Sequence, residues 1–403
     1  MISFEQAREV VIAQSKSRRA AQQSISLPVQ DALGYVLAQE ILTDREYPPF
    51  DRSTRDGYAV RASEARSGAS LRCVGEIKAG DSVVEPLPAA SCVQIMTGAA
   101  VPAGADAVVM IEFTRREGEV VTFERPTQSG QNIVPRGSEA RAGQVALSAG
   151  LRLGFAELAV AAQVGAATVC CYRKPSVAIL STGDEVVPIT EKPGPFHIRN
   201  SNGVSLAAQV QLAGGTPVSL GNALDRVEDL AEKIERGLQH DILALSGGVS
   251  MGKYDLVESV LKGLGTEFFF DAVAIRPGKP AVFGRCRETL VFGLPGNPVS
   301  TMVTFQLFVT AAIDVLSGRE ARALPFLEAR LSKDTKEKSG LTHFLPARLE
   351  WVGMEPKVAA LEWQGSGDIS ALARANCFLV VPAERPEIAA GDRVSVLPRG
   401  DVL

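Results

Sequence analysis

Histidine is scarce in this 403-residue chain. The three present, His197, His240 and His343, stand at no metal-ligand spacing from one another, so a histidine-based zinc site is not expected. The six cysteines, at 73, 92, 170, 171, 286 and 377, form no C-x-x-C pair. In a chain of this length they read as buried or free thiols of a reducing compartment. There is no G-x-G-x-x-G and no Walker A loop, which weakens the generic nucleotide-binder reading. Charge of one sign is also lacking: 42 Lys and Arg stand against 46 Asp and Glu, a formal charge of −4. That argues against a nucleic-acid coat or a polybasic membrane binder. The stretch nearest to a membrane span, 299–316, carries Gln306 and Asp314 after a Pro-Gly-Asn-Pro turn, and it reads as a buried helix. The opening MISFEQAREVVIAQ has neither the basic start nor the unbroken apolar core of a secretory leader. Ser3 and Gln6 have capping-box spacing, and Phe4, Ala7, Val10 and Val11 mark one face of a surface helix. A cytosolic protein is expected.

What is present is a globular composition, 46% hydrophobic and 22% charged, enough for a sizeable core and for two to four domains at roughly 150 residues each. Three textures follow one another. Residues 1–172 mix helix signals with short strands and many turns; 27–43 and 132–150 look like partners flanking an insertion, placed at about 44–140, with 71–80 as one of its strands. Residues 173–321 alternate strand and helix, the pattern of an α/β layer with a mostly parallel sheet. Its strands are expected at 176–180, 241–245 and 289–294, and its helices at 203–215, at 255–265 and from Pro298 onward. A further helix is opened by an Asp225–Glu228 capping box, with Val227, Leu230, Ile234 and Leu238 on one face. Residues 322–403 alternate in short runs such as 378–381 and 393–397, a small β domain. The fold class is therefore α/β plus β, multidomain.

In an open parallel sheet the loops after the strands line the ligand crevice. Three such loops are polar and rich in glycine: STGDEVV (181–187), SGGVSMGKYD (246–255) and PGNPVS (295–300). Glycine permits close backbone approach, and clustered N–H groups attract anions. One such loop alone is more often a plain turn; three at three strand ends point to a phosphate site. Asp184, Glu185 and Asp255 put carboxylates there, suited to Mg²⁺, although turn chemistry explains Asp184 and a helix N-cap explains Asp255 equally well. Arg276 and Lys279, around a proline-framed turn in IRPGKPAVFG (275–284), have the character of an oxyanion clamp, with a solvated hairpin tip as the plain alternative. PPFDRSTRDGYA (48–59) and MTGAAVPAGADAVV (96–109), read alone, are ordinary loops.

Together these stretches resemble the molybdopterin molybdenumtransferase family, which includes the E domain of gephyrin. The resemblance spans essentially the whole chain. It is carried by S-x-x-D-G-Y-A at 53–59, MTGAAVPAGADAVV, LSTGDE at 180–185, IRNSNG at 198–203, SGGVSMG, P-G-K-P at 277–280, LPGNPVS at 294–300 and QGSGDISALARAN at 364–376. It implies an α/β domain like that of molybdopterin adenylyltransferase, an N-terminal mixed part with an inserted domain and a C-terminal β domain, in an elongated homodimer. The implied reaction takes adenylylated molybdopterin and molybdate, supported by Mg²⁺, and releases AMP and molybdenum cofactor. The implied site lies between the α/β domain of one protomer and the N-terminal part of the other. Transient contact with molybdopterin adenylyltransferase and molybdoenzyme acceptors is also implied, and neither nucleic acid nor membrane.

Carried over by motif, Asp56, Thr97, Glu185 and Glu139 are the catalytic candidates, Glu139 standing where the family usually has Asp. Asp184, Glu185, Asp225 and Asp255 are the metal candidates. Substrate-binding candidates are Ser246, Gly247, Gly248, Ser250 and Gly252, then Arg276, Lys279 and Pro280, then Pro295, Gly296, Asn297 and Ser300. Of these, Lys279, Pro280 and Ser300 match positions implicated in molybdate binding. The chain departs from the family at Arg55, at Arg276 (a frequent Lys) and in GLTHFLPA (340–347). There the family commonly reads G-R-x-x-F-x-R, and this chain has Leu341 and Pro346. A lost arginine removes a charge-assisted donor worth ~1.5–3 kcal/mol per hydrogen bond, with His343, Arg348 and Arg374 as possible substitutes. The rival readings are a non-catalytic relative that binds pterin or a partner protein, and a generic α/β nucleotide binder. AMP release separates the first from the enzyme.

Overall fold

The computed structural model describes residues 1–18, 23–82, 85–248 and 256–401. A six-stranded sheet runs in the order Thr216–Ala223, Ser176–Thr182, Ile242–Ser246, Thr289–Leu294, Val282–Cys286, Glu267–Phe270. The first four strands are parallel, and Val282–Cys286 runs antiparallel to both of its neighbours. Side chains alternate across it as strand geometry requires. Val177, Ile179, Ile242, Ala244, Leu290 and Phe292 enter one core with the helix Ser201–Ala213 and the helical stretch 298–316. Ala178, Leu180, Leu243, Leu245 and Val291 enter another with the helices Val227–Gly237 and Leu256–Gly263. Both faces are therefore covered, which explains why the central strands read as unbroken apolar runs.

The stretch 298–316 is a buried helix with one π turn at Phe305–Val309. Its length and composition would suit a membrane span, but most of it lies inside the protein. Its polar residues are satisfied there. Gln306 Nε2 donates to the Pro398 carbonyl at 2.7 Å. Asp314, 1% exposed, accepts from Arg322 Nε and Nη2 at 2.8 and 2.6 Å, so its buried charge has the partner that burial demands.

The N-terminal helix Phe4–Lys16 has the expected Ser3–Gln6 capping box. Its apolar face packs on the parallel-sheet core, not on residues 23–172: Phe4, Ala7 and Val11 join the cluster of 298–316, and Arg8 donates to the carbonyls of Leu307 and Arg322 at 2.5 and 2.6 Å. Ile41–Leu42 pairs with Val145–Leu147, and Arg52–Ser53 with Ile133–Val134. Between these two-stranded ties stands a separate six-stranded sheet, in the order Ala107–Met110, Gly57–Val60, Ser91–Ile95, Ser70–Ile77, Val120–Phe123, Thr114–Glu117.

At the C-terminus Thr342–Val352, Glu355–Ala360, Leu327–Leu331, Arg393–Pro398 and Cys377–Val381 pair in succession, and Cys377–Val381 pairs back to Thr342–Val352. Five strands thus close into a small barrel, which removes free edges. A short helix, Ile369–Arg374, capped by Asp368, interrupts it.

Candidate functional site at the strand ends

Thr182, Ser246 and Leu294 end three neighbouring parallel strands, so the loops that follow meet at one sheet edge. The Gly247 N–H donates to the Leu294 carbonyl at 3.2 Å. Asn202 spans two loops: its Nδ2 donates to Ser246 Oγ and to the Gly296 carbonyl, both at 2.8 Å. Asn200 receives Ser181 Oγ at 2.9 Å and the Gly203 N–H at 2.8 Å. Glycine is required at the turn. A Cβ on Gly247 would lie 2.8 Å from the Thr182 carbonyl oxygen. Gly248 has φ +64, and a Cβ there would lie 2.7 Å from Val257 Cγ2. Sequence reasoning found IRNSNG as a motif but gave Asn200 and Asn202 no role; their spacing after a short strand was the available signal. Thr182 Oγ1, Asn202 Oδ1 and Asn222 Oδ1 are buried polar atoms with no hydrogen-bond partner among the described residues. Thr182 and Asn202 stand at the Gly247 turn, and Asn222 holds the loop that follows Thr182, so the strand ends are rich in buried polar atoms. Ser250, Gly252 and Asp255, expected in the same loop, lie outside the described residues.

Asp184 and Glu185 are exposed beside this turn, and the Asp225 N–H donates to Asp184 Oδ1 at 3.0 Å. Asp225 does not cap the following helix as its spacing suggested. The N-cap is Arg226, without a side-chain cap bond, and Asp229 Oδ2 instead takes the Leu224 N–H at 2.7 Å. Val227, expected on the apolar face, is exposed, while Leu230, Ile234 and Leu238 are buried. Partial burial, then the charges of Asp184 and Glu185, push the Asp225 carboxyl above its ordinary value, which places the three carboxylates in one electrostatic neighbourhood. Their oxygens are the donor type Mg²⁺ takes. Among the described residues, however, no three His, Cys, Asp or Glu side chains close into a ready ligand set.

Ile275–Arg276 pairs in parallel with Thr342–His343 of the C-terminal barrel, so the proline-framed turn is an inter-sheet link rather than a free hairpin tip. Arg276 and Lys279 are exposed on it, and the Lys279 carbonyl accepts from the Val273 N–H at 3.0 Å. Pro295 and Asn297 anchor the next helix: Thr301 Oγ1 donates to their carbonyls at 2.5 and 3.0 Å, and Ser300 is buried in its first turn. Pro346 is buried in its strand opposite Phe378, and Leu341 is half-buried just before that strand. His343 is committed elsewhere. It is buried, with Nε2 at 2.9 Å from the Lys338 carbonyl. Its Nδ1 lies 3.0 Å from Glu337 Oε2 without hydrogen-bond alignment. Arg348 is tied to Glu350 and to the Arg374 carbonyl. Arg374 itself is exposed at the end of its helix.

The remaining candidates are in the inserted segment. Thr97 N–H and Oγ1 both donate to Asp56 Oδ1, at 2.6 and 2.8 Å. Glu139 accepts from Arg52 Nη2 at 3.1 Å. Among the described residues no hydrogen bond or ion pair joins residues 44–140 to 173–321, so the candidates fall into two groups on separate domains of the chain.

These features define a multidomain α/β protein in which polar, glycine-bearing loops meet at the ends of the parallel strands. Three family models match in succession: the MoeA N-terminal region (domain I and II) at 2–165, a probable molybdopterin binding domain at 178–315, and the MoeA C-terminal region (domain IV) at 328–398. The chain is 33% identical over 408 residues to the molybdopterin molybdenumtransferase of Haemophilus influenzae, covering 100% of both chains. It is 34% identical over 379 residues to that of Bacillus subtilis, covering 92% of this chain and 88% of the relative. A crystal structure of the molybdopterin biosynthesis moeA protein from Pyrococcus horikoshii OT3 superposes with a TM-score of 0.82 at 27% identity, covering 99% and 100% of the two chains. The chain belongs to the molybdopterin molybdenumtransferase family, enzymes of molybdenum cofactor biosynthesis.

Proposed function

We propose that the chain inserts molybdenum from molybdate into adenylylated molybdopterin and releases AMP. The observation that supports this reading best is the junction of the strand-end loops, two of them tied by Asn202 and the third carrying Asp184 and Glu185, with Asp225 bonded to Asp184. Phosphoanhydride cleavage needs phosphate charge neutralised in a fixed geometry. The Gly247–Gly248 turn, which has no side chains to bar the way, lets the phosphates approach the backbone closely. Asp184, Glu185 and Asp225, with Asp255, would hold Mg²⁺. When bound, that ion neutralises phosphate charge and polarises the bond that breaks. Arg276 and Lys279 supply cationic donors for tetrahedral molybdate, beside Pro280 and Ser300. Asp56, kept ionised by Thr97, and Glu139 belong to the second group of residues. A homodimer in the cytoplasm, in which one protomer's inserted segment faces its partner's strand ends, brings the two groups together. The product passes to acceptor enzymes, and the substrate arrives from an adenylyltransferase.

Purified chain mixed with adenylylated molybdopterin, Mg²⁺ and molybdate should release AMP, measured by chromatography. Binding of the substrate without AMP release would replace the transferase with a non-catalytic pterin binder.

A further inference from the structure

We propose that Phe196 is a platform on which the flat heterocycle of the substrate stacks; the proposal rests on the strand-end site described above. Phe196 is 90% exposed. Exposure alone carries nothing, since Phe155, the first residue of its helix, is 89% exposed. Position separates the two. Val186–Val187 runs beside Ile198–Arg199, and the Ile198 N–H donates to the Glu185 carbonyl at 2.8 Å. Phe196 therefore stands two residues from a direct bond to the carboxylate segment.

The loop is braced. Pro193, Gly194 and Pro195 precede the ring, and the His197 N–H donates to the Gly194 carbonyl at 3.1 Å. Arg199 Nε donates to the Glu191 carbonyl at 3.1 Å. Asn222 Nδ2 holds the Gly183 and Val186 carbonyls at 2.9 and 3.2 Å. Ile189 and Ile198 add exposed apolar surface on the same segment. A braced loop that offers a phenyl ring and aliphatic groups to water, next to a site for anions, suits a ligand with a planar face close to its phosphates. Stacking on an aromatic side chain accepts any planar nitrogen heterocycle. Adenylylated molybdopterin carries two, adenine and pterin.

The test is calorimetric titration of the full chain with AMP, 6-hydroxymethylpterin and ribose 5-phosphate. Phe196→Ala should bind one of the two ring probes about tenfold more weakly, equivalent to ~1.4 kcal/mol, with ribose 5-phosphate affinity and melting temperature unchanged. The probe that loses affinity identifies the ring that stacks. Phe196→Trp should keep the affinity, and that probe should quench the added indole. Equal affinity of wild type and Phe196→Ala for both ring probes overturns the platform and leaves the site standing. A matching loss for ribose 5-phosphate also overturns it, since the ring would then only shape the loop. Wild-type protein that binds neither ring probe removes the strand-end reading and the platform together.

Discussion

Thr97 gives two hydrogen bonds, from its backbone N–H and its hydroxyl, to a single oxygen of Asp56. These bonds hold the Asp56 carboxyl below its ordinary value, because they stabilise the charged form. Asp56→Asn should leave the fold intact, as an amide oxygen still accepts both bonds, and should slow AMP release at least tenfold. Thr97→Ala removes one donor, so the Asp56 carboxyl moves back toward its ordinary value. The acid limb of the pH–rate profile should shift to higher pH, measured in initial rates across the carboxylate range. Wild-type rates in Asp56→Asn would remove Asp56 from the machinery.

Asp225 carries the opposite shift, and its sign fixes a second test. A carboxyl raised in the folded state binds more protons than when unfolded. Stability is therefore lost as pH rises from its unfolded value through its folded one. Asp225→Asn relieves the repulsion, so it should melt higher than wild type at neutral pH, and the difference should shrink as pH falls into the carboxylate range. Mg²⁺ should raise the melting temperature of wild type more than that of Asp225→Asn. Equal Mg²⁺ responses would take Asp225 out of the ligand set.

Thr182 separates stability from binding. Its hydroxyl is buried and unpartnered among the described residues, and an unsatisfied buried polar group costs ~1–3 kcal/mol. Valine has nearly the same shape, so Thr182→Val should gain about 1 kcal/mol in urea unfolding. If the hydroxyl serves ligand binding, the same variant should bind AMP less tightly. A stability loss would show that the hydroxyl has a partner in solution.

The central strands of the parallel sheet were legible because both of their faces are buried, which leaves runs such as Val177–Leu180 without polar interruption. Its edge was not. Thr216–Ala223 has a single fully buried residue and is missing from the expected strands, and nothing in Val282–Cys286 signals that it runs against both of its neighbours. The N-terminal helix was legible from its cap and its period, but its docking on residues 298–316 is a long-range fact that no local pattern encodes. Asp225 and Glu228 had the right spacing for a capping box; Asp225 lies beside Asp184 instead, and Arg226 takes the cap position. Strand ends could be placed from the sequence. The amide that ties two of them together could not, because Asn202 comes from a helix start 44 residues before Ser246.

The Arg276 turn has its neighbour in the C-terminal barrel, through the Ile275–Thr342 and Arg276–His343 pairs. On its other side the turn is held by the parallel-sheet core, where Val273, Ile275 and Ala281 are buried together with the barrel's Phe344 and Phe378. The turn is thus clamped from two sides, so a cavity cut at Ile275 should loosen the sheet and the barrel together.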